Sequence, residues 1–425
     1  MEGLNKAPPF GWGFLLKAKK GQALVFAVMA RMIIPYLGDT VPGWFQPVIS
    51  IHDEKGRELK FEDDFNCSPD PLMLFKAPAD GEYELQIRDS IYRGRKDFVY
   101  RIKAGEFSFV TSIFPLGARA GKTTTIHLSG YNLTNKDLDV TIPADQTDYY
   151  RLEGISDSAF NPVYLAVDSL TEVFDEEDNN TKDKAQNITL GSIINGRINR
   201  PGDVDIFKIS GKAGEKVVFE LDARSLESPL DALMLLCDSK GKQMFATDDT
   251  KRVNIGLNTH QADPYQMFTL PENGDYYLSL RDVQNHGGND FSYRLRISQP
   301  RPDFKVYAGV ASINIRRWQT VKEPVRIVRK DGFDGPIVIK DNSKKPVFNI
   351  VADKINGNEG NITFQLIDCR PGKSEPPFPV QFVGEARINE KTVTRKLVPC
   401  ENMMQAFIYY HWVPYTELMA YPNRR

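Results

Sequence analysis

The side chains in this sequence with the strongest claim to chemistry are aspartates, and they come in matched sets. Asp248 and Asp249 stand side by side, followed by Asp263 and Asp282; Asp63 and Asp64, then Asp70 and Asp89, stand in the corresponding places of an earlier stretch. A hard cation such as Ca²⁺ takes six to eight oxygen ligands from carboxylates and loop carbonyls. A loop with two adjacent aspartates, near a third from another loop, supplies such oxygens. Structural Ca²⁺ held by Asp248, Asp249, Asp263 and Asp282, and by Asp63, Asp64, Asp70 and Asp89, is therefore the metal chemistry to expect, although the spacing is not that of an EF-hand loop. The same residues have a second explanation. Asp and Asn favour turns because their side chains bond nearby backbone N–H groups, and Asp282 could pair with a neighbouring arginine.

Other chemistries find little support. The histidines are His52, His127, His260, His286 and His411; none forms HExxH or an i, i+4 pair. His127 sits at a polar position of an alternating stretch and reads as a solvated side chain. No GxSxG elbow for a hydrolase nucleophile occurs. GARAGKT (117–123) is one residue short of a phosphate loop and runs into an alternating strand, whereas phosphate binding needs the free N–H groups of a helix N-terminus. No catalytic residue is assigned, and a non-enzyme is expected.

The aspartates belong to an internal repeat. Residues 78–102 read PADGEYELQIRDSIYRGRKDFVYRI and residues 271–295 read PENGDYYLSLRDVQNHGGNDFSYRL. Tyr83 maps to Tyr276, Asp89 to Asp282, Asp97 to Asp290 and Tyr100 to Tyr293, all 193 residues apart; so do Phe14 and Phe207, Gly21 and Gly214, Phe26 and Phe219. A repeat of this length is one folded unit used twice, and repeated β-modules bind, space or protect more often than they catalyse. The second copy has a longer lead-in, 195–206, with little counterpart in the first. The first copy thus starts mid-module, which predicts a fragment of a longer precursor and accounts for MEGLNKAPPFGWGF lacking a signal peptide.

The elements carrying these residues read as strands. In 217–223 the odd positions are apolar and 220 and 222 acidic; 291–297 alternates likewise, as half-buried antiparallel strands require. DSKG (238–241), ENG (272–274) and HGG (286–288) supply turns between them, matched by DEKG (53–56) and ADG (79–81). With 425 residues, 41% hydrophobic, 26% charged, and Phe 25 and Tyr 17 against few helical patterns, the chain is expected to be all-β. Four antiparallel β-sandwich domains in a row are expected: 1–107, 108–174, 175–304 and 305–425, the first and third jelly-roll-like, the second and fourth Ig-like. The polar stretch FDEEDNNTKDKAQN (174–187) reads as a linker. In the last domain strands are expected around 325–327, 336–339, 362–366 and 380–382, a turn at 331–335, and a helix or last strand in the aromatic run 403–412. Cys237 reads as a small buried hydrophobe, and Cys369 and Cys400 could pair in an oxidising compartment. A net charge of −2 without a basic stripe argues against nucleic acid. The longest apolar stretch, 23–37, is broken by Arg31 and Pro35 and is too short to span a bilayer.

The two copies resemble the bacterial pre-peptidase C-terminal (PPC) domain. The likeness rests on Asp178-Asn179, on Gly202-Asp203-Val204-Asp205-Ile206-Phe207, on Ala213-Gly214, on Asp248-Asp249 and on LPxxGxY (270–276). The segment PLG…GKT…GYNL within 115–133 is similar to a TIG-type Ig domain. The resemblance covers most of 13–304, is more specific for the second copy, and implies β-sandwiches attached to secreted peptidases and other exported proteins. Some such domains are removed on maturation, relatives in collagenases bind calcium and collagen, and none is itself catalytic. The expectation is an exported, monomeric binding, adhesion or spacer array, extracellular, at the cell surface or in the periplasm, with a protein or polysaccharide partner. The alternative is the accessory region of a secreted peptidase whose catalytic domain lies outside this chain.

Overall fold

The computed structural model describes residues 11–35, 43–66, 68–153, 155, 161–250, 255, 262–316, 320–343, 348–350, 354–366, 376–406 and 409–423. Described residues fall into two compact units, one made of 11–250 and 262–299, the other of Ile255 and 300–423. Among the described residues, regular structure is strand apart from two short 3₁₀ turns, Lys182–Lys184 and Arg224–Leu226. No helix among the described residues is long and apolar enough to cross a membrane.

The described residues of the first repeat form seven strands: β1 (Gly11–Ala18), β2 (Ala23–Met29), β3 (Pro47–His52), β4 (Glu58–Glu62), β5 (Leu72–Lys76), β6 (Gly81–Asp89) and β7 (Arg101–Gly105). They form two sheets, β1-β6-β3-β4 and β5-β2-β7. Alternation puts Tyr83, Leu85 and Ile87 of β6 into the core against Phe26 and Val28 of β2. The Ig-like part has β8 (Phe109–Phe114), β9 (Gly117–Arg119), β10 (Thr123–Tyr131), β11 (Asp137–Thr141), β12 (Asp148–Arg151), β13 (Tyr164–Asp168) and β14 (Thr171–Phe174). The second repeat adds β15 (Gln186–Asn187), β16 (Ser192–Arg197), β17 (Asp205–Gly211), β18 (Lys216–Asp222), β19 (Ala232–Asp238), β20 (Gln243–Thr247), β21 (Tyr265–Thr269), β22 (Gly274–Asp282) and β23 (Ser292–Ser298). Its sheets are β15-β17-β22-β19-β20 and β14-β16-β23-β18-β21.

The duplication extends to strand register. Phe14 faces Leu85 across β1 and β6, and Phe207 faces Leu278 across β17 and β22. Phe26 faces Ala104 across β2 and β7, and Phe219 faces Ile297 across β18 and β23. Tyr83 donates its hydroxyl to the Ala79 carbonyl at 2.7 Å, and Tyr276 donates to the Glu272 carbonyl at 2.8 Å. Buried tyrosines need a partner for the hydroxyl, and both copies supply the same one.

The Ig-like strands form β11-β10-β8 and β12-β13-β9 around Val110, Ile126, Leu128 and Leu165. The stretch once comparable with a phosphate loop is β9, a turn and β10, so no helix N-terminus stands there. β14, at the end of the stretch assigned from sequence to the Ig-like domain, pairs in parallel with β16 and so belongs to the second repeat's sheet. Its Glu172 makes a 2.7 Å ion pair with buried Arg294 of β23. Gly117 leaves room for that guanidinium, since a Cβ there would lie 2.7 Å from Arg294 Cζ. Phe114 lies tilted against Phe174, centroids 5.9 Å apart, with the Arg197 guanidinium 3.7 Å above the Phe114 ring.

The second unit is a β-sandwich whose larger sheet runs Ile337–Asp341, Phe382–Ile388, Lys391–Ala406, Asp303–Ala308, Thr320–Lys330, Glu359–Leu366, Phe348–Ile350, with Tyr409–Pro414 beside Lys391–Ala406. Ser312–Arg316, Leu418–Asn423 and Phe378–Val380 form the smaller one, and Phe304, Val306, Ile337, Phe364 and Phe382 fill the core. The expected strands and the turn at 331–335 are present, and the described part of the aromatic run is strand. Cys400 is buried, which pushes its thiol up to about 12, and Cys369 lies outside the described residues.

Candidate cation site

The segment that leads into the second repeat converges with the start of β17 and with β23. Asp175 and Glu177 come from the stretch after β14, Asp205 is the first residue of β17, and one carboxylate oxygen from each lies within 4.8 Å of the others. Asp205 is fully buried. Its Oδ2 accepts a 2.5 Å hydrogen bond from the Tyr293 hydroxyl, and its Oδ1 has no hydrogen-bond partner. Tyr293 reaches it from β23 because residue 196 of the adjoining β16 is glycine: a Cβ there would lie 2.2 Å from the tyrosine hydroxyl oxygen.

Further oxygen donors stand alongside. Asn179 is 1% exposed, and neither Oδ1 nor Nδ2 of its side chain has a partner. Asn180 donates to Asp203 Oδ1 at 2.9 Å and keeps a buried, unpartnered Oδ1. Asp203 Oδ2 accepts from the Asn199 amide at 2.8 Å, and the Asn199 side chain donates to Glu177. Asp175 accepts from the Arg197 amide at 3.3 Å. Buried polar atoms without partners are uncommon and ask for an explanation; here they are Asp205 Oδ1, Asn179 Oδ1 and Nδ2, Asn180 Oδ1 and Arg197 Nε.

The electrostatics agree. Burial pushes the Asp205 carboxyl up to about 8, helped by Asp175, Asp203 and Glu177 and opposed by the Tyr293 hydrogen bond. Burial, with Glu177 nearby, raises Asp175 to about 6. Desolvation of a carboxylate favours its neutral form unless a counter-charge is supplied. Arg197 is itself half-buried and its own protonated form is disfavoured by burial. An oxygen-only donor set suits Ca²⁺, Mg²⁺ or Mn²⁺ rather than zinc or copper, and a loop-borne, irregular set suits Ca²⁺ over the strict octahedron of Mg²⁺.

The aspartates matched between the repeats have a different occupation. Asp263 accepts backbone N–H bonds from Ala223, Arg224 and Ser225 at 3.1, 2.8 and 2.8 Å. Asp70 accepts them from Ala30, Arg31 and Met32 at 3.1, 2.9 and 3.0 Å. Asp282 takes the amides of Asp231, Gln284 and His286; Asp89 takes those of Gln46, Ile91 and Arg93, and the Arg93 guanidinium besides. These four carboxylates staple loops at the strand ends, in the same way in each copy. Asp248, Asp249, Asp63 and Asp64 are exposed. Burial and the charges of Asp282, Asp249 and Asp248 raise the Asp231 carboxyl, Arg224 opposing them, so acids do gather at that end of the sandwich. Yet among the described residues the group whose ligand atoms converge is Asp175, Glu177 and Asp205. His127 is exposed and pairs with Asp137 at 2.6 Å on the neighbouring strand.

Asp175, Glu177 and the two asparagines lie in the stretch that reads from sequence as a polar linker. A search guided by what the two copies share passes over them, because at the repeat's offset of 193 residues Asp175 to Asn180 match no position of the given sequence. The signal was nonetheless present: closely spaced acids and amides, then Asp-x-Asp entering a strand.

No family model matches the chain. Over 118 residues it is 31% identical to a probable subtilase-type serine protease of Deinococcus radiodurans, a match covering 27% of this chain and 15% of that protein. The chain thus spans less than a fifth of the curated relative it matches. Among solved structures it is similar to the pre-peptidase C-terminal domain of a collagenase from Bacillus anthracis, at 15% identity over 27% of this chain and 94% of that one, with a TM-score of 0.20. It is also similar to an M60 catalytic domain with two CBM51 domains from Clostridium perfringens, at 8% identity over 94% of this chain and 40% of that one, with a TM-score of 0.25.

Proposed function

We propose that this chain is a non-catalytic, exported accessory array of β-sandwiches whose second repeat is locked by a bound Ca²⁺. The observation that carries the reading is the buried Asp205 carboxyl, one oxygen held by Tyr293 and the other open towards Asp175 and Glu177. Asp175, Glu177, Asp203 and Asp205, with the amide oxygens of Asn179 and Asn180, are the residues that would hold the cation. A bound Ca²⁺ supplies the positive charge that lets these carboxylates ionise while buried. The leader, β14 to β16, is then fixed to the body of the sandwich. Extracellular modules bind Ca²⁺ at about 10⁻⁴–10⁻³ M, a range suited to an exterior rich in that ion, and this favours the cell surface, the periplasm or the medium as the place of work. Protein or polysaccharide is the partner class proposed for the array.

A second reading is favoured by the protease likeness: the accessory region of a secreted peptidase. Its support is the 118-residue match to a protein named as a protease, of which this chain spans 15%. Thermal unfolding of the full chain with millimolar Ca²⁺ and with EDTA tests the cation. A rise in midpoint with Ca²⁺ that Asp205→Asn abolishes is expected, and an unchanged midpoint would contradict it. Turnover in a peptidase and glycosidase screen would contradict the non-catalytic part.

A further inference from the structure

Asp175 and Asp205, whose carboxylate oxygens lie within 4.8 Å of one another, are carried by different sheets. Asp175 directly follows β14, in the sheet β14-β16-β23-β18-β21, and its own N–H donates to the Asn195 carbonyl of β16 at 3.1 Å. Asp205 opens β17, in the sheet β15-β17-β22-β19-β20. The chain crosses from the first sheet to the second through residues 176–185, a polar stretch whose regular structure is the 3₁₀ turn Lys182–Lys184. Ordering such a segment costs conformational entropy, so its carboxylates converge only where other groups hold the backbone.

Gln186 supplies that hold. It is the first residue of β15, is half-buried, and lies opposite Phe207 of β17. Its Nε2 donates to the Phe174 carbonyl at 2.9 Å, and its Oε1 accepts from the Glu176 N–H at 3.1 Å. These two bonds bracket Asp175. A residue in a parallel ladder holds its neighbour in the same way, by the carbonyl before it and the amide after it; here an amide side chain stands in for the peptide group. Further along, the Asn179 carbonyl accepts from the Ile206 N–H at 3.2 Å, and the Ile188 N–H donates to the Lys208 carbonyl at 2.8 Å. β17 thus anchors the crossing at its middle and just past its end, and Gln186 ties its beginning to the strand beside β17.

We propose that Gln186 is a positioning residue for the bound cation: it holds Asp175, from one sheet, against Asp205, from the other, without itself being a ligand. The proposal rests on the cation reading given above. Both ends of the Gln186 amide are engaged by backbone, so its influence passes through Asp175. The Asp175 carboxylate is steadied from a second side by the Arg197 N–H at 3.3 Å. Gln186 sets where the Asp175 backbone stands, and Arg197 sets which way the carboxylate turns. Partners that orient metal ligands are worth about 10–100-fold in metal affinity.

The test is Gln186→Met in the full chain, which keeps the length of the side chain and removes both bonds. Isothermal titration of the metal-free variant with Ca²⁺ should show affinity at least about tenfold weaker than that of the unaltered chain, at the same stoichiometry. A second measurement separates positioning from general weakening. Eu³⁺, a luminescent substitute for Ca²⁺, reports its bound waters through its lifetimes in H₂O and D₂O. Where Asp175 is displaced, water takes its place, so Eu³⁺ held by Gln186→Met should carry more water than Eu³⁺ held by the unaltered chain. Gln186→Asn, too short to reach both backbone groups, should behave alike, and it serves in place of Gln186→Met if that variant does not fold. Equal Ca²⁺ affinity, or equal hydration of the bound Eu³⁺, would overturn the proposal and leave the cation site standing. Absence of Ca²⁺ binding by the unaltered chain would overturn the site and the proposal together.

Discussion

The Tyr293 hydroxyl meets Asp205 Oδ2 at 2.5 Å, and both residues are fully buried. Burial and the surrounding acids hold the tyrosine's own pKa well above its ordinary value, so Tyr293 is a donor at any working pH. It stabilises the ionised form of Asp205 and leaves the second oxygen free to meet a cation. Tyr293→Phe removes a hydrogen bond to a charged group, and a loss of about 1.5–3 kcal/mol of stability in the Ca²⁺-loaded chain is expected. Denaturant melts in Ca²⁺ and EDTA measure it. The loss should be smaller in EDTA, where Asp205 is protonated and does not need the donor.

Stability without Ca²⁺ should fall as pH rises. The folded-state pKa of Asp205 is raised from 3.8 to about 8, and that of Asp175 from 3.8 to about 6. Between these limits the folded chain holds protons that the unfolded chain has released, so each unit of pH costs stability. The melting midpoint in EDTA is therefore expected to decline from about pH 4 to about pH 8. Saturating Ca²⁺ should flatten or reverse the slope over that window, because cation binding displaces the same protons. Parallel slopes with and without Ca²⁺ would count against the assignment.

Gly196→Ala places a methyl group where the Tyr293 hydroxyl stands, 2.2 Å away. The ring must leave, and Asp205 loses its donor. Overpacking of this kind costs about 1–3 kcal/mol, and a weaker Ca²⁺ response should accompany it. Calorimetric unfolding reads the first effect and Ca²⁺ titration the second.

Much of the fold was legible in the sequence. Phe26 and Phe219, and Tyr83 and Tyr276, recur at one spacing, and the structure gives each pair the same strand, register and bonds. Period-two alternation marks β6, whose Tyr83, Leu85 and Ile87 face the core; in β18 and β23 the polar positions Glu220, Arg294 and Arg296 are buried as well, held in ion pairs, so the wet face expected of those strands is absent. The proposed cation site was less legible, for a reason of chemistry. An aspartate that caps backbone amides and one that binds a cation look alike in sequence, and only coordinates show which carboxylates are already satisfied. Asp263 and Asp282 recur because the loops they staple recur; at the same offset Asp205 meets Trp12, and Asp175 meets no position of the given sequence. The pairing of β14 with β16 is decided by tertiary contacts that local pattern does not encode.

The loop-stapling role makes its own separation. Asp263→Ala leaves the amides of Ala223, Arg224 and Ser225 without their acceptor, and a loss of about 2–3 kcal/mol is expected. Asp248→Ala and Asp249→Ala alter exposed side chains and should change stability by no more than about 0.5 kcal/mol. None of the three should remove the Ca²⁺ response. Loss of that response in the Asp248 and Asp249 variants, with normal stability, would return the cation to the turn loop. Denaturant melts of the three variants, each with and without Ca²⁺, decide between the two locations.

Isothermal titration of the metal-free full chain with Ca²⁺ tests most directly whether buried carboxylates of the leader hold a cation. One site per chain is expected, with proton release that grows as the pH drops below about 8, and no site in Asp205→Asn folded to the same degree by circular dichroism. No heat of binding up to millimolar Ca²⁺, or full binding by Asp205→Asn, would contradict it.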